Sequence, residues 1–384
     1  YKDFGSEDLA PLTNYNDNIK ILELYHGPTL AFKDFALQFL SRIFNLFLER
    51  NNKNITIIGA TSGDTGSAAI EAFKNNPRVN IIILHPKGKV SEFQRRQMTT
   101  IHEDNVFTLR ISGTFDDCQD IVKEAFQDRS FLNDDQYLLA VNSINWVRII
   151  GQICYYFYAS CKYTNFNKDI NFSVPTGNFG NVFACYAAHK MGLPLNKIVV
   201  SVNENDILNR FFINNDYSKQ KVNETVSPSM DISVASNFER LIYDFYCDRD
   251  SDLCKNFYST FPAKSINLPA GMWEKSKDLF LSYAVDNSKT IEAIQNVYKS
   301  HNYLIDPHTA VALVSVNKLN MNKEYPTLIL STAHPAKFPN SIQEAGISIK
   351  EMPKRLSDVY DKEEISYEFL ADKNAIFNFI ASNN

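Results

Sequence analysis

Two periodicities alternate along the chain from about residue 55. Ile55-Thr56-Ile57-Ile58 is a short apolar run rich in β-branched residues, followed by a glycine-rich turn and then SAAIEAFKNN, a good helix former. Residues 79–84 and 106–111 repeat the strand pattern, and Thr114 reads as the N-cap of DDCQDIVKEAF, with Asp116 and Asp117 at the positive end of the helix dipole. Residues 137–141 lead into a helix near 146–160. Residues 170–174 precede a second glycine-rich loop and the helix VFACYAAHKM, which Gly192 and Pro194 stop. A strand follows at 197–202. The stretch 214–270 carries Asn, Ser, Asp and Pro clusters around a helix at 236–247. The regular pattern returns in SKTIEAIQNVYKSH, in a helix after Pro307 and in a strand at 327–331. Residues after about 345 are charged and irregular, and predict only a peripheral helix or two. Apolar strands alternating with helices imply βαβ units and parallel sheets covered on both faces.

Size and composition narrow this picture. A chain of 384 residues exceeds the roughly 250–300 that one core sustains, so two domains are expected, with a boundary near 150–170. A net charge of −5 with scattered Lys and Arg gives no electrostatic case for nucleic acid or an anionic membrane. No apolar run approaches a membrane span, and no signal-peptide pattern is visible in the residues given. The six cysteines form no CxxC pair and read as reduced thiols of an intracellular, cytoplasmic protein. Cys154 and Cys161 are seven apart, as are Cys247 and Cys254, but without accompanying histidines they predict no metal site.

The chemistry concentrates in five stretches. In LYHGPTLAFKDFALQFL, Lys33 lies among Ala31, Phe32, Phe35 and Ala36. An ammonium in apolar company must pair, lose its proton or be covalently committed. Two strand–loop–helix junctions, Gly59-Ala60-Thr61-Ser62-Gly63-Asp64-Thr65-Gly66 and Pro175-Thr176-Gly177-Asn178-Phe179-Gly180-Asn181, suit anions, because helix N-termini present unpaired N–H groups. Neither matches GxGxxG or GxxxxGK[ST], and such turns also occur as plain connectors. Val141-Asn142-Ser143-Ile144-Asn145-Trp146-Val147-Arg148 puts an arginine in a helix's first turn, which suits a phosphate or carboxylate, or simply a solvent-facing guanidinium. Leu330-Ser331-Thr332-Ala333-His334 ends a strand in hydroxyls without a carboxylate. His334 and His26 read as structural histidines, and Tyr155 and Tyr156 as helix packing. An apolar-flanked lysine with two anion loops suggests a Schiff base to an aldehyde cofactor such as pyridoxal 5'-phosphate (PLP).

HGPTLAFKDFALQF resembles the cofactor-lysine segment of the threonine synthase family, in its bacterial and fungal branch. ATSGDTGSAAIEAF, VNSINWVRIIGQICYYFY, PTGNFGNVFACYAAHKMGLP, SVNENDILNRFF, SPSMDISVASNFERL, YLIDPHTAVAL and LSTAHPAKF resemble it too, in the family's order, from about residue 22 to 345. The resemblance implies a fold-type II PLP enzyme, tryptophan synthase β-like, with two three-layer α/β/α domains of mostly parallel sheets. The smaller domain would span 26–160 and carry the lysine and a substrate loop. The larger, 1–25 plus 161–384, would carry the phosphate loop. Lys33 would be the Schiff-base lysine and proton carrier. Gly177, Asn178, Phe179, Gly180 and Asn181 would cradle the cofactor phosphate, and Thr332 or Ser331 would bond the pyridine nitrogen. Asp64 would lie beside the cofactor ring, Ser62 and Thr65 would hold the substrate carboxylate, and Asn142, Ser143 and Arg148 its phosphate. The implied reaction is a carbon–oxygen lyase step turning O-phospho-L-homoserine and water into L-threonine and phosphate. The alternative is a phospho-lyase giving 2-oxobutyrate, phosphate and ammonia. A monomer or homodimer is expected, and family members carry an N-terminal segment that this sequence is expected to lack.

Overall fold

The computed structural model describes residues 1–61, 63–133, 136–321, 323–349 and 352–383. Its strands are β1 (Leu12–Asn14), β2 (Ile19–Glu23), β3 (Asn54–Ala60), β4 (Val79–Pro86), β5 (Val106–Ser112), β6 (Gln136–Ala140), β7 (Ile170–Pro175), β8 (Leu195–Val202), β9 (Phe280–Ala284), β10 (Thr327–Ser331) and β11 (Tyr367–Leu370). The principal helices up to residue 214 are α1 (Lys33–Asn51), α2 (Asp64–Phe73), α3 (Glu92–Thr99), α4 (Phe115–Gln127), α5 (Trp146–Thr164), α6 (Gly180–Lys190) and α7 (Ile207–Asn214). No helix among the described residues is long and apolar enough to cross a membrane.

The chain divides into two compact units. The first comprises residues 1–5, 27–148 and 351–384. Its five-stranded sheet has the order β11-β5-β4-β3-β6 and is parallel throughout. Successive side chains on a strand point to opposite faces, and here both faces are apolar. Ile57, Ile81 and Ile83 join Leu37, Leu40, Ala69, Ile70 and Phe73 in one core layer. Their immediate neighbours Ile58, Ile82 and Leu84 join Cys118, Ile121, Ile376, Phe377 and Ile380 in the other. Helix α4 starts as its sequence predicts: Thr114 and Asp117 form a reciprocal capping box.

Assigning residues 351–384 to the larger domain is corrected by the structure. β11 extends the first unit's sheet, pairing Tyr367 with Leu109 and Leu370 with Ser112. The helix Lys373–Ser382 then buries Ile376, Phe377 and Ile380 in that unit's core. Arg95 fastens the segment further through two 2.8 Å bonds from its Nε and Nη2 to Glu364.

The second unit comprises residues 6–26 and 149–350. Its six-stranded sheet has the order β1-β2-β10-β7-β8-β9, parallel except for the β1–β2 pair. The helices Asn287–His301 and Pro307–Lys318 pack Ile294, Val297, Ala312 and Leu313 against Ile21 and Ile329. An aromatic cluster of Phe179, Phe211, Phe212, Phe238 and Phe280 fills another part of this unit. Because β7 and β10 run parallel, the loop after Pro175 and the residues after Ser331 both leave the sheet's carboxyl edge. Ligands of open α/β sheets bind at that edge.

Candidate active site

Lys33 opens α1, with its side chain only 13% exposed. The turn before it is built on the next residue. Asp34 is fully buried, and its carboxylate accepts the Thr29 amide N–H (2.9 Å) and hydroxyl (2.7 Å). A side chain on Gly27 would collide with that carboxylate, so HGPTLAFKD is one folded device that aims the lysine. Lys33 Nζ lies 3.4 Å from Asp64 Oδ2 at the start of α2. Asp64 is held in turn by Gln94, whose Nε2 donates to Oδ1 at 2.8 Å, while Ser91 Oγ donates to Gln94 Oε1 at 2.9 Å. Gly63 packs on the Gln94 amide with φ +142°, and a Cβ there would lie 2.6–2.7 Å from its atoms. That backbone favours glycine.

The rest of this loop is organised by Thr61, whose Oγ1 accepts the N–H groups of Gly63 (3.0 Å) and Gly66 (2.9 Å). Thr65 follows Asp64 and is half-buried; Ser62 lies outside the described residues. In the third stretch Asn145 Oδ1 accepts the Val147 N–H, which starts α5. Arg148 is 2% exposed and donates from Nη1 to Val141 O at 3.5 Å. Ser143 is half-buried and Asn142 exposed in the turn between them.

In the second unit, residues 176–182 form a cradle. Thr176 Oγ1 accepts the Phe179 N–H (3.2 Å), and Phe179 sits in the left-handed region at φ 62°. The N–H groups of Asn178, Gly180, Asn181 and Val182 find no acceptor among the described residues. Neither glycine of the cradle has space for a side chain. A Cβ on Gly177 would lie 3.0 Å from Met230 Cα, and one on Gly180 would lie 3.3 Å from Asn237 Nδ2. The wall behind the cradle comes from the segment the sequence left unread. Asn237 donates from both its backbone N and Nδ2 to Asn178 O at 3.1 Å, and Ser236 Oγ donates to Asn178 Oδ1 at 3.2 Å. Asn181 Oδ1 receives the hydroxyls of Tyr155 and, at 2.7 Å, Tyr156; both rings are buried in helix packing, as the sequence predicts, and the hydroxyls add this polar anchor.

At the end of β10, Ser331 Oγ is engaged 2.8 Å from Thr309 Oγ1, which itself donates to the buried Asp306. Thr332, 6% exposed, makes no hydrogen bond within the chain among the described residues. His334 takes the Ala336 N–H on Nδ1, and burial, with His26 as the next cause, lowers its pKa to about 4. It is therefore neutral at pH 7. His26 Nε2 is bonded to Glu23 at 2.7 Å.

The family "Pyridoxal-phosphate dependent enzyme" matches residues 8–258, and "Threonine synthase, C-terminal" matches residues 309–380. The sequence is 46% identical over 366 residues to the threonine synthase of Pseudomonas aeruginosa, covering 95% of this chain and 78% of that protein. The chain belongs to the threonine synthase family. It is 42% identical over 376 residues to the threonine synthase of Saccharomyces cerevisiae, covering 90% of this chain and 73% of that one. The solved PLP-bound threonine synthase of Brucella melitensis superposes with a TM-score of 0.94 at 37% identity, over 100% of this chain and 82% of that one. The chain is thus a fold-type II, PLP-dependent lyase of the threonine synthase family.

The residues present fit that cofactor. A largely buried amine is held by a carboxylate, and four free N–H groups surround a helix start that admits no extra side chain. Asn181 Nδ2 is buried and unpartnered, a donor that a bound anion would satisfy. Sequence reasoning missed Gln94, Asn237 and the tyrosine pair. Their only local signal was a cluster of amides and hydroxyls with no partner specified by spacing.

Proposed function

We propose that this threonine-synthase-family chain converts O-phospho-L-homoserine and water to L-threonine and phosphate. The observation that carries the reading is the Lys33–Asp64 pair at 3.4 Å, standing in the lysine motif of the family. Bound PLP supplies an electron sink for charge developing next to the substrate's amino group. Lys33 is the amine that holds the cofactor and moves protons at the substrate's Cα and Cβ; Asp64 keeps Nζ in place as an acceptor that Gln94 prevents from rotating. Within the 177–181 turn, the N–H groups of Asn178, Gly180 and Asn181 bind the cofactor phosphate, while that of Phe179 is held by Thr176. Of the two hydroxyls beside β10, Thr332 is the one open to the pyridine nitrogen, because Ser331 is engaged by Thr309.

Thr65, in the first turn of α2, and Ser62 hold the substrate carboxylate, and Asn142, Ser143 and Arg148 its phosphate. A guanidinium grips phosphate through two parallel bonds and stabilises it as a leaving dianion without donating a proton. The test is incubation of the PLP-loaded protein with O-phospho-L-homoserine, followed by amino-acid, keto-acid and phosphate analysis. Equimolar threonine and phosphate are expected. 2-Oxobutyrate and ammonia in place of threonine would make it a phospho-lyase, and no phosphate release would remove the substrate assignment.

A further inference from the structure

Helices α1, α2 and α3 of the first unit border a cavity of about 620 Å³, completed by the turn Pro28–Thr29 and by the segment around Leu356–Lys362. That is the size of a small-molecule site. Its buried polar lining consists of Thr29, Ser41, Gln97 and Thr100, each less than a tenth exposed. Their protons are spent inward. Ser41 Oγ donates to Gln38 O at 3.0 Å, Thr100 Oγ1 to Arg96 O at 2.6 Å and Thr29 Oγ1 to Asp34 Oδ1 at 2.7 Å. Gln97 Nε2 donates to Thr29 O at 3.1 Å, while its Oε1 is buried with no partner. The groups left over on this lining are mostly acceptor oxygens, and a buried acceptor without a partner calls for a donor. Pro28, Ala72, Ile101, Leu356 and Val359 give the same cavity an apolar side. Its charges are nearly balanced, four cations to three carboxylates. Lys74 is paired with Glu71 and Lys362 with Asp358, each at 2.8 Å. Arg42 holds Asp3 only at 3.5 Å with both side chains more than half exposed, and Lys2 has no carboxylate partner among the described residues. Such a lining disfavours a multiply charged anion such as a phosphate ester and leaves two loosely held cations for one carboxylate.

We propose that this cavity binds a free α-amino acid with an aliphatic side chain. The ammonium is the donor for Gln97 Oε1 and the neighbouring hydroxyl oxygens, the carboxylate meets Arg42 and Lys2, and the side chain lies on Ala72, Ile101 and Val359. Through Gln97 the occupant bears on Thr29 O, and so on the turn that aims Lys33. The site stands independently of the reaction proposed above.

The test is calorimetric titration of the PLP-loaded full chain with L-leucine, with 3-methylbutylamine, which lacks the carboxylate, and with 4-methylvalerate, which lacks the ammonium. Leucine should bind, and each analogue should bind roughly tenfold more weakly or worse. Gln97→Leu should weaken leucine binding roughly tenfold, as expected for loss of one hydrogen bond to a charged group. Arg42→Gln, at an exposed position that does not endanger folding, should weaken leucine about twofold to fivefold and leave 3-methylbutylamine unaffected. No leucine binding, or equal binding of the two analogues and leucine, would overturn the proposal. Leucine affinity unchanged in both variants would place the amino acid elsewhere, the cofactor site included, and overturn it too.

Discussion

Adding one methyl group at Gly177 tests the cradle most directly. A Cβ there would lie 3.0 Å from Met230 Cα, 3.2 Å from Ile232 Cγ1 and 3.3 Å from Met230 O, where ordinary contact needs 3.4–4 Å. The gap must open by about 0.4 Å or more, and the Met230 side is poorly able to yield. Met230 N donates to Ser227 O at 3.0 Å. The next residue, Asp231, accepts from Thr225 N (2.9 Å), Thr225 Oγ1 (2.7 Å), Asn203 Nδ2 (2.8 Å) and Asn205 Nδ2 (3.0 Å). The preceding Ser229 N donates to His308 Nε2 at 3.3 Å, and His308 Nδ1 is tied to Asp306 at 2.7 Å. The displacement therefore falls on the cradle. Overpacking of this kind costs about 1–3 kcal/mol, which is roughly a fivefold to hundredfold loss in PLP affinity if it acts on the bound state. Titrating the stripped Gly177→Ala protein with PLP, with thermal unfolding in parallel, reads both effects. Gly271→Ala, with no atom within 4 Å of its added Cβ, is the control and should be neutral or slightly stabilising. A Gly177→Ala protein with PLP affinity within about twofold of wild type and an unchanged Tm would refute the reasoning, since cradle and wall would then be loosely packed.

Other expectations follow from the same geometry. Lys33→Ala should abolish threonine formation and the borohydride-sensitive absorbance of bound cofactor; a persisting band would put the covalent amine elsewhere. Asp64→Asn should retain cofactor but lower kcat by roughly tenfold or more, through loss of a charge-assisted bond to Nζ; an unchanged kcat would leave Asp64 structural. The Arg95 bonds first, then burial and Thr99, set the balance that brings the Glu364 carboxyl down to about 2. Its contribution is present above the unfolded value near 4.3 and lost as pH falls towards 2. Glu364→Gln should therefore destabilise by about 1–2 kcal/mol at pH 7, after screening, and by nothing below about pH 2, in denaturant titrations. His334 has the opposite chemistry but the same sign: folded at about 4 and unfolded near 6.5, it resists a proton that the unfolded chain accepts. Its contribution should fall by about 2 kcal/mol between pH 7 and pH 5, and His334→Gln should flatten that slope.

Much of the architecture was legible along the chain, because a strand buried on both faces is a continuous apolar run and a helix N-terminus carries its own cap. The runs at β3, β4, β5, β7, β8 and β10 and the Thr114 cap belong to that class. The strands β1, β2, β9 and β11 did not stand out. Three of them lie at a sheet end, where one side of the strand has no partner and apolar patterning relaxes. Among site residues, Lys33, Asp64 and the 177–181 turn were visible because each breaks a local rule: an amine in apolar company, or a glycine-rich turn opening a helix. Their supports were not, since Gln94, Asn237, Tyr155 and Tyr156 obey local rules and acquire meaning only from a distant partner.

The sequence alone determined the alternation of strand and helix, the apolar setting of Lys33 and the glycine-rich turn that opens a helix, since each follows from interactions within a few residues of chain. Tertiary structure alone decided that residues 351–384 complete the first unit's sheet, that Asn237 backs Asn178, and that two tyrosines lock an asparagine amide. Those pairings join groups from about 25 to more than 250 residues apart, and a hydrogen bond across such a distance leaves no periodicity for either partner to show.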